Sequence, residues 1–347
     1  MTLRFEAPER PIVQPAAVSE LWYTRCPVPT ASGIALELGW LAHEFDRLGI
    51  KLSSVRDSDV ADVRLAHFSH TLPGLFREGG NIPAIWARSN GQDTSVVALT
   101  WVDEYQAILV RPESGIATPA DLRGARIGLP RQTGQRIDFA RAMSLRGIVS
   151  ALELGGLTTQ NVALIDIASE QPVFAGAERN GSFHQLEVEA LVAGHVDAIY
   201  VKGAVGRGSA REHRLATLVD LGRHPDPLVR VNNGNPRPVT VDRRTARERP
   251  DLVARYLSVL IRAANWAKDH ASEVTAIVAR EVNRLPDDVH AGYGPDLSRS
   301  FGLDLSPRRV VGLARQKDFL LHWGFIPHDF DINGWIDDVP LSIAQGL

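Results

Sequence analysis

The 347-residue chain has one cysteine, Cys26. A single thiol cannot form an internal disulfide or a cysteine-cluster metal site. No stretch of about 18 or more apolar residues runs uninterrupted, which argues against a transmembrane helix. The N-terminus, Met-Thr-Leu-Arg-Phe-Glu-Ala-Pro-Glu-Arg-Pro, carries acids and prolines where a signal peptide needs a continuous apolar core, so a cytoplasmic location is expected. An excess of positive charge is missing as well. The net charge is −3, and non-specific nucleic-acid binders usually carry a strongly basic domain. Lysine is scarce: Lys51, Lys202, Lys268 and Lys317 stand among 38 basic residues, a bias that points to no function by itself. The nucleotide loops Gly-x-x-x-x-Gly-Lys and Gly-x-Gly-x-x-Gly are absent, as are His-x-x-x-His and the Gly-x-Ser-x-Gly elbow. A Walker-type ATPase, a zinc protease of that pattern and a serine hydrolase of the elbow type all drop out.

What is present is an ordinary globular composition, 44% hydrophobic, with a length that suits two domains of ~100–200 residues each. Strand and helix patterns alternate. Leu21–Arg25 reads as a strand and Ile50–Val55 as the next one. Between them Ile34, Leu38, Leu41, Phe45 and Leu48 are spaced 4, 3, 4, 3, as on one buried helical face ending at Gly49. Val63–Phe68 reads as a strand end, Leu72–Phe76 as a helical turn, and Ile82–Trp86, Val96–Trp101 and Gln106–Val110 as strands. Further strands are expected at Ala125–Leu129, Val162–Ile167, Val196–Val201, Thr217–Leu221 and Val239–Val241. Long helices are expected at 135–154, from Pro250 and at Pro307–Leu321, and a loose leader over the first 20 residues. This alternation predicts an α/β protein with mainly parallel sheets. Units that change near residue 112 and return near 230 suggest one lobe, 112–227, inserted into another made of 1–111 and 228–347. Ligands then bind in the cleft between the lobes, at strand carboxyl ends.

Three features there carry chemistry. Cys26 ends the first strand just before a helix, where main-chain N–H groups and the helix dipole favour thiolate. Pro27 and Pro29 stiffen its turn. A free cysteine is more commonly a small buried hydrophobe. His67 ends a later strand, with Phe68 and His70 beside it, and a histidine near a thiol can take and return its proton. Most single histidines are structural, and the chain has 11. Arg77-Glu78-Gly79-Gly80-Asn81 is a candidate anion site, because a guanidinium is a planar fork of donors and paired glycines let backbone N–H groups approach a ligand. The plain alternative is a solvated turn. Trp22, Phe68, Phe76, Trp86, Trp101, Phe183 and Tyr293 are candidates to line an aromatic pocket.

Tyr23-Thr24-Arg25-Cys26-Pro27-Val28-Pro29, then His67-Phe68, then Arg77 ahead of Gly79-Gly80 and Ile82-Pro83, resemble the aryl-sulfinate desulfinases of dibenzothiophene desulfurisation. Similarity continues through residues 120–128, 196–200, 266–270 and 292–294, where the chain is also similar to periplasmic solute-binding proteins for sulfonates and nitrate. The resemblance implies a two-lobed, periplasmic-binding-protein-like (type II) α/β fold turned into a cofactor-free, metal-free enzyme. Such an enzyme cleaves the carbon–sulfur bond of an aromatic sulfinate and releases sulfite. It implies Cys26 as essential thiol, His67 as its partner, and Arg77 with the Gly79-Gly80 backbone as the sulfinate site. Arg25, Phe68 and His70 are expected at the substrate. The thiol either attacks sulfur or protonates the ring carbon that bears it, and the residues leave both routes open.

Three positions depart from the resemblance. Glu78 stands where an aromatic is expected, Arg25 is charged where the relatives are not, and the segment 130–162 is shorter. A monomer acting on a small aromatic anion, with no nucleic-acid or membrane partner, is expected. The alternative is a non-enzymatic binding protein for a sulfonate-like or aromatic anion, with Arg77 gripping the anion and Cys26 as packing. Pyrimidine synthesis for thiamine, another reaction of this fold, would call for a cysteine-rich motif that the chain lacks.

Overall fold

The computed structural model describes residues 18–134, 136–169 and 183–347. The expected leader falls almost wholly outside these residues, as does the expected helix start at Gln135. The elements in chain order open with β1 (Glu20–Arg25), α1 (Ala31–Glu37), α2 (Trp40–Asp46), β2 (Lys51–Ser54), α3 (Ala61–Ser69), β3 (Leu75–Glu78), α4 (Asn81–Ser89), β4 (Thr94–Thr100) and β5 (Gln106–Val110). They continue with β6 (Arg126–Gln132), α5 (Phe139–Leu154), β7 (Ala163–Ser169), α6 (Gln185–Val192), β8 (Ala198–Lys202), α7 (Gly203–Glu212), β9 (Ala216–Asp220) and β10 (Arg237–Asp242). The chain closes on helices: α8 (Arg243–Glu248), α9 (Pro250–Ala267), α10 (Ala271–Val282), α11 (Pro286–Tyr293), α12 (Pro307–His322) and α13 (Val339–Gln345).

Two five-stranded sheets result, ordered β2-β1-β3-β10-β4 and β7-β6-β8-β5-β9. The fold is two-lobed α/β, as expected, but both sheets are mixed rather than mainly parallel. β10 runs antiparallel to β3 and β4, and β5 antiparallel to β8 and β9. These are the strands next to each crossing between sheets, where the chain enters the new sheet in the opposite sense. The crossings occupy residues 101–105 and 221–236. The expected boundary at 111/112 therefore falls after β5, whose ladder lies in the second sheet.

Local chemistry explains where the elements differ from expectation. The 34–48 periodicity is real but belongs to two helices, because Gly39 at φ 71° breaks the run. Ile34, Leu41 and Phe45 are buried, whereas Leu48 at the end is exposed. Residues 63–68 lie in helix α3, whose segment is rich in strong helix formers (Ala61, Arg64, Leu65, Ala66) and has Asp62 in the first turn. Residues 82–86 lie in helix α4, whose Pro83 falls in the first turn, where its missing N–H costs nothing. The expected helical turn at 72–76 gives way to strand β3.

The second sheet is covered on both faces. Along β5, Ile108 and Val110 join one cluster and Ala107 and Leu109 another; Tyr200 and Ile199 divide in the same way on β8. The first of these clusters also takes Ile82, Ile85, Val96 and Leu99 from the first sheet's side, so the two sheets share a core beneath α4, α5 and α12. Helix α5 lies so close to β8 that a Cβ on Gly147 would sit 2.1 Å from Tyr200 Cε2. That ring is fixed by hydrogen bonds to Gln106 Oε1 (3.1 Å) and from Asn232 Nδ2 (3.1 Å).

In an unconstrained helix Gly→Ala would stabilise by about 1 kcal/mol. At Gly147 overpacking is expected to outweigh that gain, and Gly147→Ala should cost about 1–3 kcal/mol. The check is a urea titration, in which the midpoint falls with little change in slope. A midpoint at or above the parent's would refute the close approach.

Candidate functional site

The site is built where β1 and β3 run side by side. The parallel register places Thr24 beside Arg77 and Arg25 beside Glu78, which brings Cys26 against Gly79. The Cys26 N–H donates to the Glu78 carbonyl at 3.3 Å. A Cβ on Gly79 would lie 2.5 Å from Sγ, so only glycine lets the two backbones meet here. Gly80 is constrained from the other side, since a Cβ there would lie 2.4 Å from Asn233 Oδ1.

His67 enters from the last turn of α3. Its Nε2 stands 3.8 Å from Cys26 Sγ, and its Nδ1 stands 2.7 Å from the Thr24 hydroxyl. Arg77 locks both partners in place. Its Nη2 donates to Cys26 Sγ at 3.8 Å and its Nε to the His67 carbonyl at 3.0 Å. Among the described residues its buried Nη1 has no acceptor.

Burial, then the positive charges of Arg77 and Arg56, push His67 well below the ordinary histidine value. The imidazole is therefore neutral at neutral pH, with one nitrogen a donor and the other an acceptor. If Nδ1–H donates to Thr24, Nε2 can take the thiol proton. If Thr24 donates to Nδ1, Nε2–H faces the sulfur. The pair can thus move a proton between sulfur and nitrogen. Burial also lowers Arg77, opposed by the neighbouring Cys26 sulfur, but a guanidinium stays charged. A buried cation with an unused N–H is suited to receive an oxyanion.

Glu78 faces away from the thiol. Its carboxylate accepts from the Ser32 N–H (2.8 Å) and the Ala31 N–H (3.3 Å) at the start of α1, where negative charge suits the helix dipole. It ties α1 to β3 and so fixes both ends of the Cys26–Thr30 turn. Of the expected site residues, Arg77 and Gly79 stand directly behind the cavity wall, beside Cys26, and Arg25 and His70 are engaged elsewhere. Arg25 is ion-paired with Glu281 of α10 and does not line it. His70 caps α3 in the left-handed conformation, φ 55°, and meets the Thr240 hydroxyl at 2.9 Å through Nε2. Burial and Arg77 push its pKa down to about 4.

The cavity of about 590 Å³ lies between the sheets, with Cys26, His67, Phe68 and Gly80 on one wall and residues of α5, β8 and α7 on the other. Phe68, Phe139 and Phe183 form a ladder across it, with centroid spacings of 6.1 and 6.0 Å and interplanar angles of 29° and 21°. Phe68, Phe183 and Tyr293 are thus lining residues as expected. Trp22, Phe76, Trp86 and Trp101 do not line it. Phe76 stacks on Tyr256, and Trp22 and Trp86 pack against core clusters.

Sequence reasoning missed Phe139, Asn233, Lys202 and Arg237, all of which line the cavity. Lys202 could have been found, because it ends a strand that was expected, at the edge where ligands bind in α/β sheets. Asn233 sits in a segment read only as a turn. Its side chain accepts from the Ile82 N–H at 3.0 Å, and its carbonyl from the Asn81 N–H at 2.9 Å, which docks the second crossing on the start of α4.

No protein-family model matches the chain. Two curated relatives, the 2'-hydroxybiphenyl-2-sulfinate desulfinases of Rhodococcus erythropolis and Rhodococcus qingshengii, are each 27% identical over 346 residues, covering 91% of this chain and 90% of theirs. The crystal structure of the desulfurization enzyme DszB superposes with a TM-score of 0.75 at 26% identity, covering 94% of this chain and 99% of that one. A cysteine-to-serine DszB mutant in complex with biphenyl-2-sulfinic acid gives 0.74 at 25%, with the same coverage. The periplasmic aliphatic sulphonate binding protein SsuA from Escherichia coli gives 0.67 at 16%, covering 92% of each chain, a likeness of fold. The resemblance drawn from the sequence is borne out: along nine-tenths of its length the chain is similar to aryl-sulfinate desulfinases, on a fold shared with sulphonate-binding proteins.

Proposed function

We propose that this protein is a desulfinase that cleaves the carbon–sulfur bond of an aromatic sulfinate, with Cys26, His67 and Arg77 as its catalytic residues. One observation carries the reading. A thiol stands 3.8 Å from both a neutral imidazole and a buried guanidinium, on the wall of a cavity crossed by stacked phenylalanines. The similarity to named desulfinases supports it.

The reaction is ArSO₂⁻ + H₂O → ArH + HSO₃⁻, and it needs no redox partner. Arg77, with the Gly80 N–H, holds the sulfinate oxygens, and the phenylalanine ladder holds the ring. In the nucleophilic route His67 takes the thiol proton and the thiolate attacks sulfur. The ring carbon receives that proton as its bond to sulfur breaks, and water then releases sulfite from the Cys26–SO₂⁻ adduct. In the ring-protonation route Cys26 gives its proton directly to that carbon, sulfur dioxide leaves, and water converts it to sulfite. Arg77 beside the sulfur stabilises thiolate in both, whether as reactant or as product. Thr24 is a positioning residue that fixes the imidazole.

Sulfite release from a panel of aryl sulfinates tests the reading. The parent protein should turn over at least one, with arene and sulfite in equal amounts, and Cys26→Ser should lose roughly 10³-fold or more in kcat. Tight binding of sulfinates by the parent without any sulfite would instead favour the anion-binding protein.

The depressed His67 pKa sets a pH signature. The neutral imidazole is the competent form, so kcat/KM should stay level as pH falls from 7.5 to 6.5. It should decline only further down, as the buried imidazole takes a proton. An acid limb centred at 6.5 or above would exclude His67 in this role. Phe139→Leu, which removes the middle rung of the ladder, should raise KM about 3–10-fold with kcat little changed, because ring stacking is worth roughly 0.5–1.5 kcal/mol. An unaltered KM would remove the ladder from ring binding.

A further inference from the structure

We infer that the cavity holds a second anion subsite, at Lys202, and that the preferred substrate is an aryl sulfinate bearing another anionic group, a carboxylate or sulfonate, on the part of the molecule remote from sulfur. This deepens the desulfinase reading and rests on it for the identity of the reacting group.

The observation is a charge imbalance inside the protein. Lys202 ends β8 and lines the cavity. Its Nζ meets Glu104 Oε1 at 2.7 Å, its one partner among the described residues, so two of its three N–H groups remain for a ligand. Glu104 is not free to neutralise it alone. The other carboxylate oxygen accepts from Arg237 Nη2 at 3.3 Å, and Arg237, also on the cavity wall, is wholly buried. Arg237 Nη1 is held by the Pro29 carbonyl at 3.0 Å, and its Nε has no acceptor among the described residues. Two cations thus share one buried carboxylate, leaving a net positive charge in a place poor in water. Uncompensated charge there is costly, and an arriving anion relieves it.

The rest of the wall is differently disposed. Arg284 is paired with Glu212 at 2.9 Å, and Glu281 is shared by Arg25 and the half-exposed Arg56. Lys202, with Arg237 behind it, is therefore the lining cation that keeps donors to spare and is still reached from the cavity. The backbone is shaped around it. Gly203 turns the chain from β8 into α7 at φ 60°, and a Cβ there would press on the Tyr293 hydroxyl at 2.9 Å. A Cβ on Gly234 would fall 1.8 Å from Glu104 Oε1 and 3.2 Å from Lys202 Nζ. Gly234 follows Asn233, which packs on Gly80. One dipeptide therefore separates the proposed sulfinate site from the ammonium, a span on the order of 12 Å. An aromatic body lying between them along the phenylalanine ladder would place one anion at each end.

Binding of non-reacting sulfonates separates this subsite from the chemistry. Calorimetry compares biphenyl-2-sulfonate with 4'-carboxybiphenyl-2-sulfonate, whose second anion points away from sulfur, on the parent, Lys202→Met and Lys202→Arg. The dianion should bind the parent at least tenfold more tightly, equivalent to about 1.4 kcal/mol. Lys202→Met should abolish that preference and Lys202→Arg should keep most of it, which also shows that loss of preference is not loss of fold. Equal affinities in the parent would overturn the subsite, and so would a preference that survives Lys202→Met. If the preference follows Lys202 but no sulfinate yields sulfite, the subsite stands and the desulfinase reading falls.

Discussion

A guanidinium buried within the protein is the constraint from which the site follows. Among the described residues Arg77 is paired with no carboxylate, and its charge is met by a carbonyl and a thiol. Its hold on the His67 carbonyl fixes the end of α3, and its hold on Cys26 fixes the end of β1. Three segments distant in sequence thereby share one geometry. Replacing that cation by an apolar group would remove the positive charge beside the sulfur and the link between helix and strand together. This is why the surrounding backbone is so intolerant of side chains: Gly79 and Gly80 sit where a Cβ would push the thiol or Asn233 away.

The second constraint is the pair of crossings between sheets. Residues 101–105 bring Glu104 under the cavity, and residues 221–236 bring Asn233 and Gly234 beside it. The inner part of the second crossing is polar and buried and makes contacts to both sides: Asn81 Nδ2 donates to the Asn232 and Pro236 carbonyls, and Asn232 Nδ2 to the Met143 carbonyl. A polar network of this kind specifies one arrangement of its neighbours more sharply than apolar contact does. It sets the start of α4 against α5, and so sets the phenylalanine ladder, whose rungs come from both sides.

Much of this was legible in the sequence, for identifiable reasons. Cys26, Arg77 and Gly79-Gly80 follow strands in short turns, where the residue types themselves declare the chemistry. His67 was found by type although its element was misread, because the 61–69 segment is too short for its period to separate helix from strand. Arg25 and Glu78 were visible as charges but not as partners of Glu281 and of the α1 N-terminus, contacts that span some 250 and 46 residues of sequence. Phe139 and Lys202 were unmarked because one phenylalanine or lysine looks like any other until the second sheet places it. The mixed character of the sheets was hidden for a similar reason: strand direction is fixed by the crossings, which carry no periodicity.

The departures from the desulfinase resemblance gain a physical meaning once they are placed. Glu78 and Arg25, which looked like threats to the chemistry, spend their charges on α1 and on Glu281, away from the cavity. Neither alters the triangle of thiol, imidazole and guanidinium. Lys202, a charge that does face the cavity, lies on the opposite lobe from that triangle. In the proposed reaction the bond-breaking groups thus sit on the first lobe, whereas Lys202, Phe139 and Phe183, which meet the rest of the molecule, sit on the second. Such a division lets substrate preference change through one lobe while the reacting geometry, fixed by Arg77 within the other, stays as it is.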